Sequence, residues 1–269
     1  MNKERPHMEN QSIQYQLNDS GVATITLNRP DIHNAFDDTI IAALTAAFKK
    51  AGDDPAVRIV VLAASGKSFC AGGDLNWMRR MAGYNYEENL RDANALADML
   101  RTLNYLPKPT IARVQGAAYG GGVGLVACCD IAVASPDAAF CLSEVKVGLI
   151  PATIGPYVVR AIGQRASRRY FTTAELISAE TARELGLVSE LVNNEELDNT
   201  IAGIIKGLLR NGPQAVAEAK RLVLDVADGE INAEMIADTS QRIAQTRGSE
   251  EGREGLTAFL EKRKPSWIQ

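Results

Sequence analysis

At 269 residues the chain has room for one large domain or two small ones, and its 46% hydrophobic and 23% charged content is ordinary for a globular protein. A formal net charge of −4 leaves no basic footprint for nucleic acid, and no apolar run approaches the roughly 18 residues of a membrane span. Two histidines, and four cysteines without ligand spacing, argue against a zinc site, and His33 without a Gly-X-Ser-X-Gly elbow argues against a Ser-His-Asp hydrolase.

Met1 to Gln11 is polar and lacks the apolar centre of a signal peptide. It is expected to be a disordered leader, with Met8 as an alternative start. Ile13 to Leu17 alternates in polarity and Val22 to Leu27 is rich in β-branched residues. With Asn18-Asp19-Ser20-Gly21 between them they predict a hairpin. Asp37 opens an amphipathic helix to about Ala51, with Ile40, Ile41, Leu44 and Phe48 on one stripe. Val57 to Ala63 is a buried strand. Leu90 to Leu103 predicts a helix, Thr110 to Val114 a strand and Gly122 to Cys129 a buried helix. Ile131 to Ala134 and Ala139 to Leu142 are short strands. After Val192 only helical patterns remain, over Glu195 to Leu209, Pro213 to Ala227, Ile231 to Arg247 and Ser249 to Lys262. The fold class is therefore α/β, with repeated strand-strand-helix units followed by a helical tail. Cys70, Cys128, Cys129 and Cys141 lie in apolar surroundings and read as reduced thiols, which points to the cytoplasm.

Gly120, Gly121 and Gly122 stand at a helix start, where free N–H groups and the positive dipole end can meet an anion. Glycine there also admits close backbone approach by a ligand. Glu144 precedes the small and apolar run Val145, Val147, Gly148, Leu149, Ile150 and Pro151. Apolar surroundings disfavour a carboxylate and raise its pKa, which suits a general acid or base. Read alone, it is equally a surface carboxylate paired with Lys146.

Ser68-Phe69-Cys70-Ala71-Gly72-Gly73-Asp74, Tyr119-Gly120-Gly121-Gly122-Val123-Gly124 and Ser143 to Pro151 together resemble the crotonase (enoyl-CoA hydratase/isomerase) superfamily. The resemblance runs from about Ile13 to Trp267. It implies a ββα spiral core over residues 12–192 and a C-terminal helical oligomerisation region over 193–269, built as a homotrimer or a dimer of trimers. It implies that the N–H groups of Gly73 and Gly121 form an oxyanion hole for a thioester, with Glu144 moving the proton. Ala71, Gly72, Asp74 and Leu75 match the loop that contacts the adenine of coenzyme A, which is part of the substrate. No separate cofactor or metal is implied. Asn28-Arg29-Pro30 with Asn34-Ala35 also matches a family segment near coenzyme A, and Phe259 to Lys264 resembles the family's terminal segment, whose basic cluster either reaches a 3′-phosphate or only solubilises the terminus.

Two-glutamate hydratases of that family carry a second catalytic Glu at the position of Gly124. Its replacement leaves three readings: Glu144 serving both steps of hydration, a substrate carboxylate helping to orient water, or proton shuttling alone in a Δ3,Δ2-enoyl-CoA isomerase. The stretches Asp74 to Met81 and Leu142 to Ala152 are similar to bacterial methylglutaconyl-CoA hydratases of leucine breakdown. They also resemble the isohexenylglutaconyl-CoA hydratases of terpene breakdown. The resemblance thus favours a 3-substituted glutaconyl-CoA as substrate. Trp77 and Met81, with Met78 and Tyr84, lie at about helical spacing and read either as the lining of the acyl pocket or as core or subunit-contact packing, and the space left by a side chain at Gly124 is expected to take the branch. Arg79, Arg80 and Lys146 are candidate partners for a substrate carboxylate. One branch of the superfamily binds AU-rich RNA, a role that the acidic balance of this chain opposes.

Overall fold

The chain opens on the expected hairpin. β1 (Ile13–Leu17) pairs antiparallel with β2 (Val22–Leu27), Ile13 opposite Leu27 and Leu17 opposite Ala23. The turn is held by Asn18, whose Oδ1 accepts the N–H groups of Ser20 and Val22 at 3.0 and 3.0 Å. This is a computed structural model, and it describes residues 12–268; the leader expected over Met1 to Gln11, with Met8, lies outside them.

From β2 the chain enters α1 (Asp38–Asp53), capped by Asp37, whose Oδ1 accepts the Ile40 N–H at 2.9 Å. Its stripe of Ile40, Ile41, Leu44, Ala47, Phe48 and Ala51 is buried. β3 (Ile59–Ala64) then lies parallel to β2. All six of its residues are buried, which is why it reads as an unbroken apolar run. The strand starts at Ile59 rather than Val57, because the Val57 N–H closes a turn onto the Asp54 carbonyl at 3.1 Å.

Two short-range surprises follow. α2 (Leu75–Met81) is a separate helix, and α3 (Tyr86–Asn104) starts a turn earlier than Leu90. The extra turn is polar and has no apolar stripe to reveal it. It forms because Asn85 and Glu88 make a reciprocal capping box. β4 (Thr110–Val114), β5 (Ala118–Tyr119), α4 (Gly121–Cys128), β6 (Ile131–Ala134) and β7 (Ala139–Cys141) come next. Then follow α5 (Gly155–Thr173), β8 (Ile177–Ser178), α6 (Ala179–Glu184) and β9 (Glu190–Leu191), a stretch the sequence patterns left unassigned.

Among the described residues the strands form two sheets. The larger has the order β1-β2-β3-β4-β6-β9 and is parallel except for the hairpin. The smaller has the order β5-β7-β8. Phe36, Phe48, Phe69 and Phe140 are among the largest fully buried side chains of the core. Each contributes about 1.5–3 kcal/mol by leaving water.

α7 (Leu197–Leu209), α8 (Pro213–Val226), α9 (Ala233–Gly248) and α10 (Glu250–Leu260) complete the chain. Contacts divide it into a unit of residues 12–106 with Thr110–Ile201 and a helical unit of Pro107–Pro109 with residues 202–268. The division falls inside α7, beyond the Val192 boundary suggested by the end of the strand patterns. Leu197 and Ile201 are buried, so the first turn of α7 belongs to the core unit. Within the helical unit Arg263 pairs with Glu254 at 2.7 Å and with Glu261 at 2.8 Å. Hydrogen bonds from Arg263 hold the Glu254 carboxyl down at about 2. This member of the basic terminal cluster is thus an internal clamp.

Candidate active site

Three segments are stitched together by backbone hydrogen bonds. The first runs from Arg29 to Asp37. Asn34 is buried, and its Oδ1 accepts the Arg29 N–H at 2.8 Å while its Nδ2 donates to the carbonyls of Ser65 and Ser68 at 2.8 and 2.9 Å. The second is the glycine loop Phe69 to Asp74. Phe36 N–H donates to the Gly72 carbonyl at 2.7 Å, and Asp74 N–H donates to the Phe36 carbonyl at 2.6 Å. Gly73 lies between these two bonds, and its own N–H takes no acceptor among the described residues. The third is β5 and the start of α4. Tyr119 N–H donates to the Cys70 carbonyl at 2.8 Å, and Gly120 N–H to the Cys141 carbonyl at 2.9 Å.

α4 starts at Gly121 without a side-chain cap, so the Gly121 N–H is left open at the positive end of the helix. Phe36 links the two open N–H groups. Its backbone pairs with Gly73 and its ring lies against Gly121, where an added Cβ would sit 2.5 Å from Cε2. The two expected oxyanion residues are therefore held by one shared neighbour. A pair of fixed backbone donors in such a place can stabilise a developing oxyanion, each worth about 2.7–4 kcal/mol of barrier.

Glu144 sits in a 3-10 turn, Ser143–Val147, directly after β7. Gly148, at φ 76°, closes the turn, and Leu149 N–H donates to the Glu144 carbonyl at 3.0 Å. The carboxyl reaches back over the glycine elbow. A Cβ on Gly120 would stand 3.2 Å from Glu144 Oε1 and 4.0 Å from the Gly72 Cα. Gly120 itself has φ 51° and ψ −118°, a conformation that side chains resist. Glu144 Oε2 is buried with no hydrogen-bond partner among the described residues. Burial raises the Glu144 pKa from its ordinary value, against a smaller lowering by a backbone hydrogen bond. The alternative reading, a surface carboxylate paired with Lys146, does not hold: among the described residues no ion pair joins them.

Gly124 requires a correction. It was expected to leave space for a substrate branch, but it is buried in α4 and that space is filled. A Cβ there would lie 2.3 Å from Ile154 Cγ2 and 3.3 Å from Leu100 Cδ2. Trp77 is also buried, joined to Asp92 of α3 by its Nε1–H at 3.2 Å. Its Cε3 stands 3.6 Å from the Cβ position of Gly73, and Met78 Cγ stands 3.4 Å from it. Met81 is half-buried and packs on the core. Arg80 is paired with Asp38, and Arg79 with Asn76. Both are engaged on the protein's own groups.

Of the adenine-loop candidates, Ala71 and Leu75 are exposed and Gly72 is buried. The Asp74 carboxylate is committed to structure. Its Oδ1 accepts the N–H groups of Asn76 and Trp77 as the cap of α2, and its Oδ2 lies 3.6 Å from Arg29. Arg29, expected near coenzyme A only by resemblance, is the hub of a brace. It also binds Asp37 Oδ2 at 2.8 Å and the Ala35 carbonyl at 3.2 Å. The three side chains are only 24%, 16% and 12% exposed, so solvent screens the brace little. Burial alone would raise the Asp37 carboxyl, but bonds from Thr39 and Ile40 and the charge of Arg29 together lower it. No short motif marks Arg29 as a brace, because its partners are assembled only by the fold.

Two open backbone donors and a carboxyl with one buried, unpartnered oxygen suit an enzyme that polarises a carbonyl and moves a proton beside it. The chain belongs to the enoyl-CoA hydratase/isomerase family, whose profile matches residues 18–269. Its fold is that of crotonases. It superposes on an enoyl-CoA hydratase from Shewanella pealeana with a TM-score of 0.93, at 48% identity over 96% of this chain and 97% of that one. An enoyl-CoA hydratase from Mycobacterium smegmatis gives 0.90 at 38% identity, over 96% and 99% of the two chains. Pseudomonas aeruginosa AtuE gives 0.92 at 35% identity, over 96% and 100%. The activity is thus of the enoyl-CoA hydratase/isomerase type on acyl-CoA thioesters. No helix among the described residues is long and apolar enough to cross a membrane.

Replacing Arg29 with Met is expected to destabilise the fold by about 2 kcal/mol, since hydrogen bonds to charged groups are worth roughly 1.5–3 kcal/mol. It is also expected to lower kcat by up to about 100-fold through a shifted glycine loop. Chemical denaturation and steady-state kinetics check this; an unchanged kcat in the folded variant would show that the brace does not position the loop.

Glu144→Gln should fold normally and lose about 10²–10⁴ in turnover. Because the folded Glu144 pKa is raised, the protonated form is favoured in the fold. Wild type is then best placed against the Gln variant below the unfolded carboxylate pKa of about 4.3, and loses ground as pH rises through the folded pKa. Thermal midpoints from pH 4 to 8 should show the Gln variant ahead at neutral pH and the gap closing in acid. A wild type that is the more stable at pH 7 would mean that the carboxylate is not a penalised, unpaired charge.

Proposed function

We propose that the protein adds water across the 2,3 double bond of a 3-substituted glutaconyl-CoA, with 3-methylglutaconyl-CoA or a longer isoprenoid analogue as the substrate. The observation that carries this reading is the solitary Glu144 carboxyl over the glycine elbow, with Ile154 where a second carboxylate would stand. In this reading the thioester oxygen sits between the N–H groups of Gly73 and Gly121. Water attacks Cβ as Glu144 takes its proton, and the electrons of the double bond move onto the thioester oxygen as an enolate. Collapse of the enolate returns the proton from Glu144 to Cα. One carboxylate closes the cycle with no net change in its protonation. The water still needs a second polar contact, and a carboxylate carried next to Cβ by the substrate meets that need.

The exposed Ala71 and Leu75 and the backbone beside Gly72 and Asp74 suit contact with the adenine of the coenzyme A portion. Trp77 and Met81 would then act from behind the loop. The exposed apolar side chains Leu75, Val147, Leu149 and Ile150 lie next to the loop and the turn that carry the site. They suit an acyl or pantetheine chain. Lys146, exposed on the Glu144 turn, suits a substrate carboxylate, whereas Arg79 and Arg80 do not.

The rival reading is a Δ3,Δ2-enoyl-CoA isomerase, in which the same Glu144 moves a proton between Cα and Cγ and no water enters. Mass analysis of products from 3-methylglutaconyl-CoA, crotonyl-CoA and a 3-enoyl-CoA separates the two. The expected result is a gain of one water on 3-methylglutaconyl-CoA and little on crotonyl-CoA. A shift of the 3-enoyl double bond without mass change, and no hydration, would assign the isomerase instead.

We also propose a homotrimer, single or paired, formed through the helical tail. Ile231, Phe259 and Leu260 are 90%, 81% and 78% exposed, a degree of apolar exposure that a partner surface would relieve. Light scattering should give three or six times the 29.0 kDa chain mass; a monomer would remove this assignment.

A further inference from the structure

We infer that Ile154 is a specificity-determining residue, paired with Gly124, which keeps a second carboxylate out of the site and thereby ties the enzyme to a substrate that brings its own. The inference rests on the hydratase reading above. Its basis is three-dimensional. Gly124 N–H donates to the Gly120 carbonyl at 3.3 Å, so Gly124 stands one helical turn from the residue that faces the Glu144 carboxyl. A side chain at 124 would leave the helix into the volume that Ile154 occupies. Its Cβ would fall 2.3 Å from Ile154 Cγ2 and 2.9 Å from Ile154 Cβ. Leu100 Cδ2, at 3.3 Å, closes the other side.

Ile154 cannot swing away easily. It is 1% exposed and precedes α5, where its carbonyl accepts the N–H groups of Tyr157 and Val158 at 3.1 and 3.1 Å. α5 packs on both α4 and the turn that carries Glu144. The clash involves Cβ as well as the methyl, so shortening Ile154 to Ala would leave it in place, and only Gly removes it. The two positions therefore exclude each other's side chains. A glutamate at 124 requires the loss of Ile154, and Ile154 requires glycine at 124. The side chains around position 124, Ile154 and Leu100, are apolar.

Gly124→Glu, Ile154→Gly and the double variant test the pair. Gly124→Glu alone is expected to lose several degrees in Tm and to gain nothing on crotonyl-CoA. The double variant is expected to recover that loss relative to Ile154→Gly, and to raise the kcat/KM ratio of crotonyl-CoA over 3-methylglutaconyl-CoA at least about tenfold, the smallest change that a differential transition-state contact of about 1.4 kcal/mol would give. A merely structural role for Ile154 would move Tm but leave that ratio unchanged. Two results overturn the inference: a Gly124→Glu protein with wild-type Tm that hydrates crotonyl-CoA, or a folded double variant with an unchanged ratio. Should the glutamate variants not fold, Gly124→Ala decides. It should cost several degrees in wild type and little in the Ile154→Gly background; equal costs in both overturn the pairing. If wild type leaves 3-methylglutaconyl-CoA unhydrated, the hydratase reading falls. The pairing is then judged on the Tm cycle and on whether the double variant newly hydrates crotonyl-CoA.

Discussion

A half-buried carboxyl with one buried, unpartnered oxygen is the constraint on which the candidate site depends. Glu144 Oε2 has no hydrogen-bond partner among the described residues, and Oε1 lies against the bare backbone of Gly120. A neutral polar group left in this state costs roughly 1–3 kcal/mol, and an ionised one more. Nothing about β7 or its following turn gains from such a residue, and a glutamine would satisfy the same shape without the charge. The expense makes sense as chemistry. A proton carrier, the role proposed for Glu144, must be poised between its two states, and burial without a fixed partner brings the carboxyl toward that balance.

Keeping two N–H groups open at the site demands that the surrounding backbone be rigid without blocking the donors. The chain solves this with bonds on either side of each donor. Gly73 is flanked by the Phe36–Gly72 and Asp74–Phe36 bonds, and Gly121 is preceded by the Gly120–Cys141 bond. Arg29 and Asn34 then tie the strip that carries Phe36 to the glycine loop. The polar groups that look like ligand contacts in the sequence, Asp74 and Arg80 among them, are used up in this scaffolding. What is left open at the site is mostly backbone and apolar surface, as suits a thioester whose charge appears only in the transition state.

The legible parts of the fold are those with strong local signals. The hairpin, α1, β3 and β4 declared themselves by alternation, by an apolar stripe or by unbroken burial. The polar first turn of α3 did not, because its stability comes from a capping box and not from a buried face. α5 was also missed: its kink at Gly163 interrupts the pattern, and its buried residues are scattered along nineteen positions. The candidate site was legible where glycines and one glutamate stand in short motifs. Phe36, Arg29 and Ile154 were not legible in that way. Each acts through neighbours distant in the chain: Arg29 stands near coenzyme A only by resemblance, and no motif marks Phe36 or Ile154.

Gly124 shows why a missing side chain is not a vacancy. Close-packed interiors do not keep room for an absent group, because a void of that size would forfeit the contacts of every atom lining it. With glycine at 124 on α4, the side chain of Ile154 at the head of α5 fills the volume that a Cβ there would take. The consequence is chemical as well as steric. An apolar side chain fills that volume, so under the hydratase reading proposed above any polar help to the attacking water would arrive with the substrate. The identity of one residue on a helix and the packing of another, thirty positions later, are thus a single structural fact.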